Sequence, residues 1–319
     1  FARLADELKD HTLGVLLYYV GDPLMHPELA EICRITHAVG LNAHVSTNFS
    51  FSLRDEQLDE LITSGLTHLT ICVDGFTQQN YERTRVDGGL DRVAGNLRRA
   101  CAIRRAHRRR FPRIEVQYIK YQHNLHEIEA AHKFYRALGV DQVHEVWGWL
   151  HNYTDRDPGK YDVFRPRRPR MLPRCHWPYL FTVVKYDGAV LPCCAFRLGH
   201  QYTDCDDPRD VGNTFKNSFW EIWTSPAYRT VRRFACDPTL AERDASLAEN
   251  FCHACPRLFE TNYTERTCRF ANEHTFEQLY TIGPDGRPRR RPETMPSPCG
   301  LGAPPPSCTP VHSEPGLGT

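Results

Sequence analysis

The sequence has no apolar run near roughly eighteen residues and no signal-peptide pattern, so nothing in it predicts a helical membrane span or secretion. An excess of charge is missing too. The 40 Lys and Arg against 39 Asp and Glu leave +1, too little to recruit nucleic acid or an anionic membrane by field strength. Lysine is sparse beside arginine, a bias of genome composition rather than a binding surface. What remains is an ordinary globular balance, 40% apolar and 25% charged over 319 residues, enough for one large domain or two medium ones.

Cysteine is what the chain has in plenty. Its 13 cysteines are many for a protein without a secretory signal. In a reducing compartment such residues are metal ligands or buried thiols more often than disulfides, and the cytoplasm is the expected location. Phe1, Leu4, Ala5 and Leu8 form an apolar stripe at helical spacing from the first residue onward. A domain seldom begins inside such a stripe, so further sequence is expected upstream of Phe1.

From residue 13 to about 150, strand and helix patterns alternate. Apolar runs at 13–20, 43–46, 69–73, 114–119 and 143–147 predict buried strands. Amphipathic segments at 27–39, 53–64, 90–107 and 127–138 predict helices, with Gly40, Gly65 and Gly139 placed to end three of them. Repeated β-α units imply a parallel sheet, open or curved toward a barrel, with ligand groups at the carboxyl ends of its strands. Polar residues do fall there: Gly21, Asp22 and Pro23 after the first run, Thr47 and Asn48 after the second, Asp74 and Gly75 after the third. Gln117, Lys120 and Asn124 lie in or after the fourth.

Residues 151–174 are Arg/Pro-rich and polar, a linker. A cysteine-rich region runs from 175 to about 270, with a hairpin expected over 180–191 around Asp187-Gly188 and a helix over 218–231. Beyond 281 the Pro/Gly/Arg-rich chain has no period and is expected to be disordered. The basic cluster at 104–110 is a solvated helix terminus, and His11, His26, His37, His44 and His68 show no metal spacing with one another.

Cys252 and Cys255 form a Cys-x2-Cys turn that can place two thiolates on one metal. Cys175 and Cys193, on the arms of the expected hairpin, would complete a set of four. Four thiolates suit tetrahedral zinc or a four-iron cluster equally, and buried, unliganded cysteines are the third reading.

Residues 175–194, CHWPYLFTVVKYDGAVLPCC, resemble the opening of a SPASM domain: a Cys, a Gly, and a Cys shortly after it. VGNTFKNSFWEIWTSPAYRTVR at 211–232 is similar to the same domain's Gly-Asn turn and Trp-containing helix, and the Cys-x2-Cys closes it. The resemblance implies an auxiliary [4Fe–4S] cluster on Cys175, Cys193, Cys252 and Cys255. Where the longer family pattern has further closely spaced cysteines, this chain has Cys268, and Cys194 adjoins a proposed ligand.

The first half resembles a radical S-adenosylmethionine (SAM) core. YYVGDPLMHPEL at 18–29 is similar to the family's Gly-Glu-Pro strand end, which grips the amino group of SAM, with Asp22 where Glu is usual. VSTNFS at 45–50 resembles a Thr-Asn-Gly pattern with Phe49 in place of Gly. LTICVDGFTQQNYERTRVDGGLDRVAGNLRRA at 69–100 is the nearest match, in which Asp74 and Gly75 would border the cavity and Arg85 and Asn96 would brace it. The resemblance thus implies SAM binding at Gly21, Asp22, Pro23, Thr47, Asn48 and Asp74. It implies a partial (β/α)6 TIM-like barrel lacking its first strand, followed by a small cysteine-rich α+β domain.

The family's catalytic cluster uses Cys-x3-Cys-x2-Cys, a spacing that this sequence does not contain. Cys33, Cys72 and Cys101 are single and predicted to pack. The expectation is an oxidoreductase or maturase that cleaves SAM reductively and abstracts hydrogen from a peptide or small molecule. A flavodoxin or ferredoxin would supply electrons, and a second [4Fe–4S] cluster is expected only in the intact protein. The 319-residue chain alone would then be inactive. The rival expectation is a catalytically inactive zinc- or iron–sulfur-binding module on a degenerate barrel.

Overall fold

The computed structural model describes residues 1–19, 21–148, 175–194, 210–237, 240–241, 243–247, 251–252, 280–282 and 288–290. Helix α1 (Ala2–Leu8) leads into β1 (Gly14–Leu16), α2 (Leu29–Ala38), β2 (Asn42–Thr47), α3 (Asp55–Thr63) and β3 (His68–Val73). After the short α4 (Gln78–Tyr81) come α5 (Leu90–Ala106), β4 (Arg113–Lys120), α6 (Ile128–Ala137) and β5 (Gln142–Trp147). The five strands lie side by side in chain order. The first three pairings are parallel, in the registers Gly14↔Asn42, His44↔His68 and His68↔Arg113. Parallel neighbours need a helical crossover, which the intervening helices supply.

The described strands differ from the apolar runs in two ways. β1 stops at Leu16, although the apolar run continues to residue 20. Beyond Leu17, whose N–H still bonds His44 O at 2.8 Å, the chain turns toward Pro23, which opens a single 3₁₀ turn capped by Asp22. The strands are also not buried on both faces. Ala43 and Val45, Leu69, Ile71 and Val73, and Ile114, Val116 and Tyr118 point into a core shared with Leu58, Ile62, Val93, Leu97 and Tyr135. Their alternating neighbours His44, Ser46, His68, Cys72, Glu115 and Gln117 form a second, half-exposed polar face.

The helix ends follow the glycine signals. Gly40, Gly65 and Gly139 have φ of 81°, 92° and 96°, and a Cβ at Gly65 would also meet the His37 side chain at 2.6 Å. Arg104, read from sequence as part of a solvated cluster, instead ties α5 to the turn before β5. It pairs with the Asp141 carboxylate and donates to Pro112 O at 2.8 Å.

In the cysteine-rich region α7 (Trp177–Leu180) precedes an antiparallel pair, β6 (Val183–Val184) and β7 (Val190–Leu191), so the hairpin is shorter than expected and Leu180 is helical. The helix expected over 218–231 is two helices, α8 (Phe219–Trp223) and α9 (Pro226–Cys236). Pro226 cannot continue α8, and Ser225 caps α9 by accepting from Tyr228 N. Helix α8 starts on α1: Phe219 N donates to Glu7 Oε2 at 2.6 Å, and Trp220 Nε1 donates to Glu7 O at 2.9 Å. Of the α1 stripe, Ala5 is buried while Phe1 is 47% exposed.

By compactness the chain divides into one unit of Phe1–Ile119, Glu127–Val146 and Met171–Leu258, and a second of Lys120–His126, Trp147–Arg170 and Phe259–Thr319. In the second, the Tyr121 and His123 rings stack at 5.7 Å. That unit also holds an antiparallel pair, β8 (Tyr280–Ile282) and β9 (Pro288–Arg290), in the stretch read as aperiodic. The linker at 151–174 lies outside the described residues.

Candidate cofactor and metal sites

The loops after β1 and β2 are cross-linked by one carboxylate. Asp22 accepts from Thr47 Oγ1 at 2.8 Å, from Asn48 N at 2.8 Å and from Leu24 N at 3.0 Å. The structure therefore brings Gly21, Asp22, Pro23, Thr47 and Asn48 together, with the Asp22 charge spent on fixing the turn. Gly21 has φ of 79°, and nothing lies within 4 Å of where its Cβ would stand, leaving backbone open to a ligand.

Phe49 follows with φ of 57°, the left-handed conformation that makes glycine usual in a Thr-Asn-Gly turn. Its ring is fully buried. Thr47 Oγ1 accepts from Phe49 N at 2.9 Å, and Asn96 Nδ2 donates to Phe49 O and Phe51 O at 2.9 and 2.8 Å. Asn96 thus holds the loop after β2.

Asp74, at the end of β3, is not an open cavity wall. Its side chain is 3% exposed and takes Arg85 Nε at 2.7 Å and Nη2 at 3.3 Å. Burial works against the guanidinium's charge, but the Asp74 carboxylate outweighs it and holds the Arg85 pKa above the ordinary value.

The segment after Asp74 is folded by Glu127, just before α6. One carboxylate accepts from Phe76 N at 2.7 Å, Thr77 Oγ1 at 2.5 Å, Thr77 N at 3.3 Å and Asn80 Nδ2 at 2.8 Å. Burial pushes the Glu127 pKa up, yet the donors from Thr77, Phe76 and Asn80 overcome it and leave it below the usual carboxylate value. A depressed carboxylate stabilises fully above its unfolded pKa of about 4.3 and loses that contribution as pH falls through its folded value. Acid unfolding should show this: E127Q is less stable than the parent at pH 7, and the gap narrows below about pH 4.

The polar sheet face was missed by reading apolar runs as continuous. The i, i+2 spacing of His44 and Ser46, of His68, Thr70 and Cys72, and of Glu115 and Gln117 was the available signal. His44 Nε2 and Thr70 Oγ1 are 2.8 Å apart, and burial, with His68 adding to it, lowers the His44 pKa to about 4, so the ring is neutral at pH 7. Cys72 Sγ lies 3.3 Å from Ser46 Oγ and 3.6 Å from Gln117 Nε2, while His144 Nε2 is 3.2 Å from Gln117 Oε1. Burial raises the Cys72 thiol pKa, against which the Ser46 hydroxyl acts by hydrogen bonding. Cys33 and Cys101 are buried, as expected, and burial pushes both thiols up to about 11. His26 accepts from Glu28 N at 3.1 Å, a helix-start role.

In the cysteine-rich region Cys175 N bonds Ala235 O of α9 at 3.1 Å. Cys193 and Cys252 are buried and act electrostatically on Tyr228, whose phenol burial pushes up to about 12. Cys255 lies outside the described residues. Among the described residues no three His, Cys, Asp or Glu side chains converge on a metal position, and no helix is long and apolar enough to cross a membrane. The donor chemistry still suits an iron–sulfur cluster, since Cys175, Cys193 and Cys252 all carry the thiol side chains such a cluster takes as ligands.

Residues 175–256 match SPASM, an iron–sulfur cluster-binding domain. The chain carries a SPASM region. This SPASM-bearing chain is 26% identical to the PqqA peptide cyclase of Ruegeria pomeroyi over 49% of its own length and 40% of that protein's. It is 22% identical to the tungsten-containing aldehyde ferredoxin oxidoreductase cofactor-modifying protein of Pyrococcus furiosus, over 73% of each. It is 25% identical to the AdoMet-dependent heme synthase of Methanosarcina barkeri, over 44% of this chain and 38% of that one. The chain thus spans less than half the length of two of these relatives. Among solved structures, BtrN in an open conformation gives a TM-score of 0.38 at 13% identity, covering 76% of this chain and 74% of that chain.

Proposed function

We propose that the intact protein is a radical SAM oxidoreductase or maturase whose SPASM domain holds an auxiliary [4Fe–4S] cluster on Cys175, Cys193, Cys252 and Cys255. The observation that carries this reading is the SPASM match, which contains all four cysteines. The five-stranded parallel sheet would be part of a (β/α)6 barrel, its polar face turned toward the substrate. When bound, SAM and the clusters supply hydrogen abstraction and electron transfer.

This chain's residues would do the positioning. The turn at Gly21, Asp22 and Pro23, with Thr47 and Asn48, would receive the methionine end of SAM. Open backbone at Gly21 would do the accepting, while Asp22 holds the turn in shape. Asp74 would keep Arg85 in place behind the site rather than touch the cofactor. The neutral His44, Thr70 and Gln117 would meet an uncharged, hydrogen-bonding substrate, which favours a peptide or a small polar molecule. Electrons would come from a flavodoxin or ferredoxin in the cytoplasm. SAM cleavage is assigned to the intact protein because the Cys-x3-Cys-x2-Cys spacing is not in these 319 residues.

Metal analysis after anaerobic reconstitution tests the proposal. The expected result is about four irons per chain, falling to near none in the C175A/C252A double variant. A colourless protein that keeps one zinc would instead establish the zinc-binding module. Metal content untouched by the double substitution would show that the cysteines are incidental.

A further inference from the structure

Arg232 is a cation that the described residues leave uncompensated. On α9 it stands one turn from Tyr228, so both side chains share a helix face. Its guanidinium carbon lies 4.2 Å from the Trp223 ring centroid and 4.3 Å from that of Tyr228. Nε donates to Pro178 O at 2.9 Å and Nη1 to Trp223 O at 2.7 Å. Nη2 is buried with no partner among the described residues, and both acceptors that the guanidinium does find are neutral carbonyls. Burial lowers the Arg232 pKa, and the groups that oppose this are Tyr228 and Tyr179, not a carboxylate.

Aromatic faces attract a guanidinium but do not neutralise it, and a desolvated charge without a counter-ion is costly. The position of Arg232 says where the missing anion belongs. Pro178, which it grips, follows closely on Cys175, and the Cys175 N–H is held by Ala235 O on the same helix. Tyr228, stacked under the guanidinium, is within electrostatic reach of Cys193 and Cys252. Segments bearing Cys175, Cys193 and Cys252 thus all lie within reach of this half-buried cation or of the ring beneath it.

We propose that Arg232 is the counter-charge of the auxiliary site, compensating the net negative charge of four thiolates around an iron–sulfur core and raising its reduction potential. This rests on the reading that residues 175–256 hold such a cluster. Reduction adds negative charge, and a fixed cation nearby favours the reduced state. The Trp223 and Tyr228 rings hold the guanidinium in place, so Arg232 tunes the site without being a ligand.

The test is a spectroscopic redox titration of reconstituted wild-type, R232Q and R232K proteins, with iron and sulfide counted in each. The expected result is wild-type iron content in R232Q with a lower midpoint, by at least the 59 mV that a tenfold change in a one-electron ratio represents. R232K should recover most of the shift. If R232Q fails to load iron while R232K loads normally, the charge requirement still stands. A loaded R232Q that titrates at the wild-type midpoint overturns the proposal, as does failure of both variants to load. Absence of iron from the wild type would instead overturn the cluster reading itself.

Discussion

Replacing Phe49 with glycine should lower stability by roughly 2–4 kcal/mol in urea unfolding, although glycine is the residue that the family's Thr-Asn-Gly pattern carries at this place. Two effects compete. Phe49 sits at φ of 57°, where a side chain costs about 1 kcal/mol that glycine would recover. Against this, its ring is fully buried in the core beneath β2, and emptying such a site costs about 3–5 kcal/mol. The hydrogen bonds from Asn96 to Phe49 O and Phe51 O engage backbone and survive the substitution, so the loop keeps its course while the core beneath it empties. Phe49→Leu separates the two effects: it keeps the left-handed cost and most of the volume, and should lose clearly less than Phe49→Gly. A stabilised glycine variant would show that backbone strain outweighs packing.

Phe49 also shows what kind of information the sequence carries locally. Thr47 and Asn48 act on backbone within two residues of themselves, so the shape of this loop depends on local sequence. The strands β2, β3 and β4 were legible from apolar spacing within a residue or two, and the helix ends from glycines at positive φ. The polar sheet face was not, apart from Gln117, since Ser46 and Cys72 are small or mixed in character and vanish inside runs scored as apolar. Glu127 carried no local sign at all: its donors are Phe76, Thr77 and Asn80, about fifty residues earlier, and only the β3–α4–β4 crossover brings them to it. The break between α8 and α9 was readable in Ser225-Pro226 and was overrun by the apolar period of Phe219, Ile222 and Val231. For the metal site, cysteine spacing named the candidates, while the counter-charge at Arg232 depends on a stacking arrangement that spacing does not encode.

The Asp74–Arg85 pair should behave as structure rather than as a cofactor contact, and its removal is the other large effect. Arg85→Met leaves a carboxylate that is 3% exposed without its cation and should cost about 3 kcal/mol, the usual penalty for stranding one member of a buried pair. Asp74→Asn should cost less, because the Arg85 side chain is 29% exposed and can turn its charge toward water. The double variant should be more stable than Arg85→Met alone, with a coupling of 1–2 kcal/mol or so in a double-mutant cycle followed by urea unfolding. The chain after Asp74 stays tied to Glu127, and a Cβ at Gly75 would meet Tyr81 N at 2.6 Å, so the segment has little room to repack around the lost pair. Additive single effects would mean that the two residues act independently, and Asp74 would then be free for the direct cofactor contact that the motif resemblance gave it.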